Sequence, residues 1–385
     1  MPNLNRKLAK HTTDYKQRIR KIFTEHDGSM AIVDDQSVIN FCSNDYLNLS
    51  THDEVKQTFA KSAANIGLGS TGSALISGYS KSHARLENAF AEFLERDRAI
   101  LFNSGYHANL GVMTTFADRE STIIADKYCH ASLIDGALLS RAKLIRYPHN
   151  DLKHAEKLLE KHAQSSTLLV SESVFSMQGS LTNIPYLSKI ANKNNSLLII
   201  DDAHGLGILG KKGAGASDYF QLSQEKIPCL VSPLGKAIGS YGAIVSGDSD
   251  LIEALLQFAG SYRYCTALPP AVCDATLSAL NILKKESWRR EKLSHLCAFF
   301  LKECAIRNII LSSNDVTPIM SVIIGCNQKT LIIQQRLLDH GLLVSCIRPP
   351  TVPKNKACLR ISLNCMHEEN QIIFLLDHLK ELLNA

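Results

Sequence analysis

The chain has 385 residues, 45% apolar and 21% charged, a size that calls for two domains and a composition of ordinary globular type. Its 42 Lys+Arg against 37 Asp+Glu leave a net charge of +5, too thin for a nucleic-acid groove, and no basic run with interleaved aromatics occurs. No stretch approaches the roughly 18 consecutive apolar residues of a membrane helix, and eleven scattered cysteines without C-x-x-C or Cys/His ligand spacing favour reduced thiols in the cytoplasm over disulfides or zinc.

Residues 1–45 read as a polar, basic helical arm with no apolar signal region, leading through a short strand at Met30–Val33 to the polar turn Ser43-Asn44-Asp45-Tyr46-Leu47. Val55–Ile66 has helical spacing and stops at Gly67. Gly67-Leu68-Gly69-Ser70-Thr71-Gly72 matches the dinucleotide fingerprint G-x-G-x-x-G, but a helix precedes it where the fingerprint needs a strand. From His83 to Asp97 the residues Leu86, Phe90, Phe93 and Leu94 share one helix face.

A strand at Ala99–Phe102 then breaks into Asn103-Ser104-Gly105-Tyr106, a helix start whose free N–H groups suit a phosphate. The next strand, Ser121–Ala125, leads to His130; a lone histidine there more often caps a helix or sits in a core. Thr167–Val170 leads into Ser171-Glu172-Ser173-Val174-Phe175-Ser176, and a helix follows at Ile184–Lys193. Leu197–Ile200 breaks into Asp201-Asp202-Ala203-His204-Gly205, and Cys229–Val231 into Ser232-Pro233-Leu234-Gly235-Lys236. Short aliphatic runs bounded by Gly or Pro read as strands buried on both faces. A second G-x-G-x-x-G, Gly205–Gly210, opens no helix, so a nicotinamide-dependent dehydrogenase is the alternative from another class.

A strand at Ala243–Val245, helical spacing at Leu251–Phe258 and a long helix to about Ser287 complete a large domain over 46–287. From 288 to 385 the order becomes helix, strand (Met320–Ile324), helix (Thr330–His340), two strands around Cys346 and Leu359, and a closing helix: a smaller α+β domain. Alternating strand and helix implies right-handed crossovers and a mostly parallel sheet, so the fold class is α/β.

In such a sheet Asp201, His204, Lys236, His130, Ser104, Gly105 and Ser176 gather at the carboxyl ends of the strands. An acid, imidazoles and a lysine flanked by glycine suit a carbonyl cofactor held as a Schiff base, with a carboxylate against its ring nitrogen. These residues, with Ser77-Gly78-Tyr79-Ser80, His130-Ala131-Ser132-Leu133, Val174-Phe175-Ser176-Met177 and Ile347-Arg348-Pro349-Pro350-Thr351-Val352-Pro353, carry a resemblance to the α-oxoamine synthases over nearly the whole chain. Those are pyridoxal 5'-phosphate (PLP) enzymes of fold type I.

The resemblance implies that Lys236 forms the Schiff base and then serves as base at the substrate Cα. Asp201 keeps the pyridine nitrogen protonated. His204 and Ser176 reach the ring oxygen and His130 stacks on the ring, while Glu172 counts among the cofactor contacts. Gly105 and Tyr106 N–H groups and Ser104 hold the phosphate, with Thr266 arriving from the partner of a homodimer whose active sites are shared. Arg360 pairs with the substrate carboxylate; Asn44, Thr351, His130 and an arm arginine, Arg18 or Arg20, meet the substrate.

The Arg348–Pro353 segment favours the branch that joins L-alanine to a pimeloyl thioester with loss of CO₂, in biotin synthesis. Glycine or another thioester remains the alternative within the family, and the acyl group comes on coenzyme A or an acyl carrier protein. One departure stands out. The family has Thr or Ser three residues before the lysine to bind phosphate, whereas Pro233 has neither hydroxyl nor N–H, leaving Ser232 as the substitute.

Overall fold

The computed structural model describes residues 2–162 and 166–384, with side chains from residue 4 onward. Met1 and Ala385, the outermost residues of the expected arm and closing helix, lie outside the described residues. In chain order the strands are β1 (Phe23–Asp27), β2 (Met30–Val33), β3 (Gln36–Asn40), β4 (Arg98–Phe102), β5 (Thr122–Asp126), β6 (Lys143–Tyr147), β7 (Thr167–Glu172), β8 (Leu197–Asp201), β9 (Cys229–Pro233), β10 (Ala243–Gly247), β11 (Ile319–Gly325), β12 (Leu342–Leu343), β13 (Ser345–Ile347) and β14 (Ala357–Ser362). The chain divides into two compact units: Met1–Asn48 with Ser176–Ser180 and Glu291–Ala385, and Leu49–Phe175 with Leu181–Arg290. The arm and the Ser176 turn thus group with the carboxyl-terminal residues.

The larger unit is built on a seven-stranded sheet of order β4-β10-β9-β8-β7-β5-β6. β10 runs antiparallel to both neighbours, β4 and β9, and the other pairings are parallel, so six strands point one way. β5, β7, β9 and β10 are buried at every position, as unbroken aliphatic runs require. Helix α1 (Pro2–Thr13) lies in the arm. Helix α2 (Asp53–Ile66) starts on His52, whose side chain accepts the Glu54 N–H, and stops at Gly67, where φ is 98°. Helix α3 (Lys81–Phe93) opens with a reciprocal Ser80/His83 cap.

Helices α4 (Gly105–Phe116) and α5 (Ala131–Ser140) pack on one sheet face, where Ala108, Val112 and Met113 of α4 and Leu133 and Ala137 of α5 meet Phe102, Val170, Ile199 and Val231. Gly136 makes the fit possible: a Cβ there would lie 2.9 Å from Met113 Cβ and 3.1 Å from the Asn109 carbonyl oxygen.

In the smaller unit β1, β2, β3 and β12 form one sheet and β11, β14 and β13 another. The 176–180 turn lies against β11: Thr317 Oγ1 donates to the Gly179 carbonyl at 2.8 Å, and a Cβ on Gly179 would sit 2.0 Å from the Ile319 carbonyl. Only glycine takes φ of 71° so near another backbone.

Candidate active site

Four co-directional strands deliver the cofactor-type residues of the larger unit to one sheet rim: Ser104 follows β4, His130 follows β5, Asp201 ends β8 and Lys236 follows β9. Ser104 caps α4, its Oγ accepting the His107 N–H at 3.2 Å. The first N–H groups of α4, on Gly105 and Tyr106, have no carbonyl within their own helix and carry its positive dipole end. Gly105 packs directly on β9, since a Cβ there would fall 2.6 Å from Pro233 Cγ. The Tyr106 ring is exposed, with its hydroxyl donating to Asp135 Oδ2 at 2.6 Å.

Asp201 is 4% exposed, and both oxygens accept: Oδ1 from the Ala203 N–H at 3.0 Å, Oδ2 from Asn109 Nδ2 at 2.7 Å. The same Asn109 nitrogen donates to Ser132 Oγ at 2.8 Å, and Ser132 Oγ lies 2.8 Å from His130 Nδ1. His130 is the cap residue of α5, taking the Ser132 N–H on Nδ1 at 3.3 Å, so the histidine that caps a helix and the site histidine are one residue. Its own N–H donates to Glu172 Oε1 at 2.5 Å, and Glu172 stands beside Asp201 in register. Burial lowers the His130 pKa, with the Lys236 cation acting in the same direction and Asp201 and Asp135 opposing. His130 as a whole is nonetheless an exposed residue.

His204 is buried in the turn after β8. Asp202 anchors that turn: its Oδ2 accepts the Ala216 N–H at 2.9 Å and its carbonyl accepts from Gly205 and Leu206. Burial pushes the Asp202 carboxyl up to about 7, the Ser173 hydroxyl and the Ala216 N–H opposing. The exposed Thr266 has its carbonyl held by Asn103 Nδ2 at 2.7 Å.

Ser232 does not lie where the phosphate substitute was expected. Strand alternation puts Val231 and Pro233 on the face that carries α4, in register with Val245 and Ala243. Ser232 therefore turns to the opposite face, where its Oγ is fully buried without a hydrogen-bond partner. A loop shift cannot correct this, because a one-residue alternation is fixed by the pleat.

The smaller unit holds four of the expected substrate residues, Arg18, Asn44, Thr351 and Arg360, while His130 belongs to the larger one. Arg360, 5% exposed, donates from Nε to the Ser176 carbonyl at 2.7 Å, from Nη1 to Ser362 Oγ at 2.8 Å and from Nη2 to Asn44 Oδ1 at 3.1 Å. A guanidinium has five N–H bonds, so these three do not exhaust it. The Tyr46 hydroxyl donates to the same Asn44 oxygen at 3.1 Å. Arg18 Nη2 meets Thr351 Oγ1 at 3.3 Å, pairing the arm residue with the loop. Arg348 clasps the arm beside it, donating to the carbonyls of Tyr15 and Gln17, while Asn327 Nδ2 donates to that of Asp14 at 3.1 Å.

Sequence reasoning missed Asn109 and Ser132. The signal was present: Asn109 lies on the apolar stripe of α4 with Ala108, Val112 and Met113, where a lone amide has to have buried partners. The residues fit a phosphorylated pyridine aldehyde: helix-start N–H groups over a glycine suit the phosphate, a buried carboxylate held through both oxygens suits a ring nitrogen, and a lysine suits the aldehyde. Among the described residues no cluster of three or more His, Cys, Asp and Glu side chains is placed to hold a metal.

The family model for aminotransferase class I and II matches residues 36–379. 8-Amino-7-oxononanoate synthase of Pseudomonas putida is 42% identical over 379 residues, 98% of this chain and 97% of its own, and that of Stutzerimonas stutzeri is also 42% identical, over 98% and 96%. Among solved structures, 8-amino-7-oxononanoate synthase from Francisella tularensis superposes with a TM-score of 0.80 at 36% identity, covering 89% of this chain and 97% of that one. Serine palmitoyltransferase of Sphingomonas wittichii gives 0.92 at 25% identity over 99% and 96%. The fold is that of the PLP-dependent aminotransferases, and the dehydrogenase alternative falls with it: Gly67–Gly72 follows a helix, and Gly205–Gly210 passes through turns. With relatives this similar along almost its full length, the chain belongs to the 8-amino-7-oxononanoate synthase family.

Proposed function

We propose that the chain uses PLP to join L-alanine to a pimeloyl thioester, releasing CO₂ and the free thiol and forming 8-amino-7-oxononanoate for biotin synthesis. The observation that carries this reading is the buried Asp201 carboxylate, fixed by Asn109 and the Ala203 N–H on the same sheet face as the helix that begins at Gly105. When bound, PLP supplies an aldehyde for the amino group and a protonated ring that draws negative charge away from Cα.

Asp201 accepts the ring N–H, and His130 and His204 border the ring. The Gly105 and Tyr106 N–H groups take the phosphate. Arg360 holds the alanine carboxylate, its fork aimed by Ser176, Ser362 and Asn44. Lys236 Nζ removes the Cα proton. Cα then bonds to the thioester carbonyl carbon, and the C–S bond breaks with the thiolate leaving. Cα now sits next to a ketone, so breaking the bond to its carboxylate releases CO₂ with the electron pair shared by the ketone oxygen. Lys236 returns a proton to Cα. Arg18 and Thr351 receive the acyl chain, whether it comes on coenzyme A or on an acyl carrier protein.

The enzyme acts as a homodimer in which the partner subunit's Thr266 completes the phosphate site. Exposed Leu68, Ile76 and Tyr264 are apolar side chains that a partner subunit would cover. Eleven cysteines without a disulfide support a reducing compartment, the cytoplasm. The test is to incubate the purified protein with pimeloyl-CoA and alanine, glycine or serine and to measure CO₂ and the amino ketone. Alanine gives product, and Lys236→Ala abolishes both turnover and the visible absorbance of bound PLP. A colourless wild-type protein, or product from glycine alone, overturns the assignment.

A further inference from the structure

We infer that Asn109 and Ser132 are positioning residues that hold His130 in the neutral form with its proton on Nε2, so that it works as a hydrogen-bond donor and leaves proton abstraction to Lys236. This assignment rests on the function proposed above.

The argument follows hydrogen atoms from Asp201 outward. An ionised carboxylate only accepts, so the Asn109 group facing Asp201 Oδ2 at 2.7 Å has to be the NH₂ end. The opposite amide orientation would set two oxygens against each other. The second hydrogen of that NH₂ goes to Ser132 Oγ at 2.8 Å. Ser132 Oγ therefore accepts on that side, and its own hydrogen is free for His130 Nδ1, 2.8 Å away. Nδ1 also takes the Ser132 backbone N–H at 3.3 Å. A ring nitrogen that accepts twice carries no proton, which leaves the proton of the neutral imidazole on Nε2.

Each link is fixed by something else in the fold. Asn109 is 1% exposed and Ser132 fully buried, so water does not compete for these bonds. Gly136, one turn after Ser132, lets α5 approach until its Cα faces the Asn109 carbonyl, which is why the two side chains meet. His130 is held at its backbone by Glu172 and cannot swing away without losing the start of α5. The charged groups acting on the ring are Lys236, which disfavours a second proton, and Asp201 and Asp135, which favour one. Glu172 is occupied by the His130 backbone N–H. The relay decides among these competing influences, since a proton on Nδ1 would face the Ser132 backbone N–H and would leave the buried Ser132 hydroxyl hydrogen without its acceptor.

The test is NMR of the full-length protein carrying isotope-labelled histidine, with and without added PLP, the His130 signal being identified by its loss in His130→Gln. The expected result is the Nε2–H tautomer in the wild type. Asn109→Ala and Ser132→Ala should each raise the His130 titration midpoint, by roughly half to one pH unit. Asn109→Ala should have the larger effect because it frees Ser132 Oγ to accept from Nδ1. Ser132→Thr, which restores the hydroxyl, should return the midpoint to the wild-type value. An Nδ1–H tautomer in the wild type, or midpoints unmoved by both alanine variants, overturns the inference. Should Asn109→Ala not fold, Ser132→Ala with its threonine rescue decides alone. Failure of the protein to take up PLP would defeat the proposed function while leaving this readout intact.

Discussion

Two single side chains in this molecule have consequences that a measurement can read directly. Arg360 meets Ser176, Ser362 and Asn44 through its planar fork, and a lysine ammonium cannot reproduce three contacts at those fixed angles. Arg360→Lys should raise the KM for alanine about tenfold or more while changing kcat less, as steady-state kinetics would show. Asp202 is the other. Its carboxyl titrates at about 7 in the fold against 3.8 in the open chain. Between those values the folded protein holds a proton that the unfolded chain has lost. Its contribution to stability is therefore complete below about pH 4 and is lost as pH rises through 7, by roughly 1.4 kcal/mol per unit in that window. Asp202→Asn should flatten this slope, and urea midpoints at pH 5, 6, 7 and 8 check it. The positions of Lys236 and Asp201 were legible because each ends or follows a buried aliphatic run, which is where the structure has them. Asn109 was legible only as a lone amide on an apolar stripe and Ser132 not at all, since an amide and a hydroxyl acquire their partners only from what α4 and α5 bring beside them.

At the level of elements, the junction of β9 with α4 tests how the phosphate is held. Pro233 lies on the α4 face against Gly105, and Ser232 lies behind it on the other face. Pro233→Thr should add a hydroxyl beside the helix start and tighten PLP several-fold, whereas Ser232→Ala should leave PLP affinity unchanged; equilibrium dialysis measures both. Loss of affinity in the serine variant would mean that the phosphate reaches across the sheet.

The strands buried on both faces were readable as aliphatic runs to within a residue or two: β4, β5 and β7–β10 all coincide with such runs. β6 escaped because Lys143-Leu144-Ile145-Arg146-Tyr147 sits at a sheet edge, half-exposed, with charges that mask the strand. β1 is exposed at every position and has no apolar alternation to read. The register that turned Ser232 away from α4 was available in principle from the two-residue period, but only once the face carrying α4 was known.

For the molecule as a whole, the apolar side chains left in solvent are the quantity to follow. Leu68 is 89% exposed, Ile76 85% and Tyr264 80%, and the proposed homodimer would cover them. Sedimentation should give twice the chain mass, and Ile76→Asp should shift the protein toward monomer with PLP retention falling in parallel. A monomeric wild type would remove the shared site from the proposal. Burial pushes the Cys229 and Cys273 thiols up to about 12, so neither supplies a thiolate near neutral pH. The helical arm carries a further implication. Arg348 and Asn327 grip it by the carbonyls of Tyr15, Gln17 and Asp14, groups that every amino acid possesses. The grip is blind to which side chains the arm bears, so Gln17, which is held through its carbonyl, can be exchanged at little cost in anchorage. On the proposed function, what varies there is the wording offered to an incoming acyl tail, with Arg18 a letter already committed to Thr351.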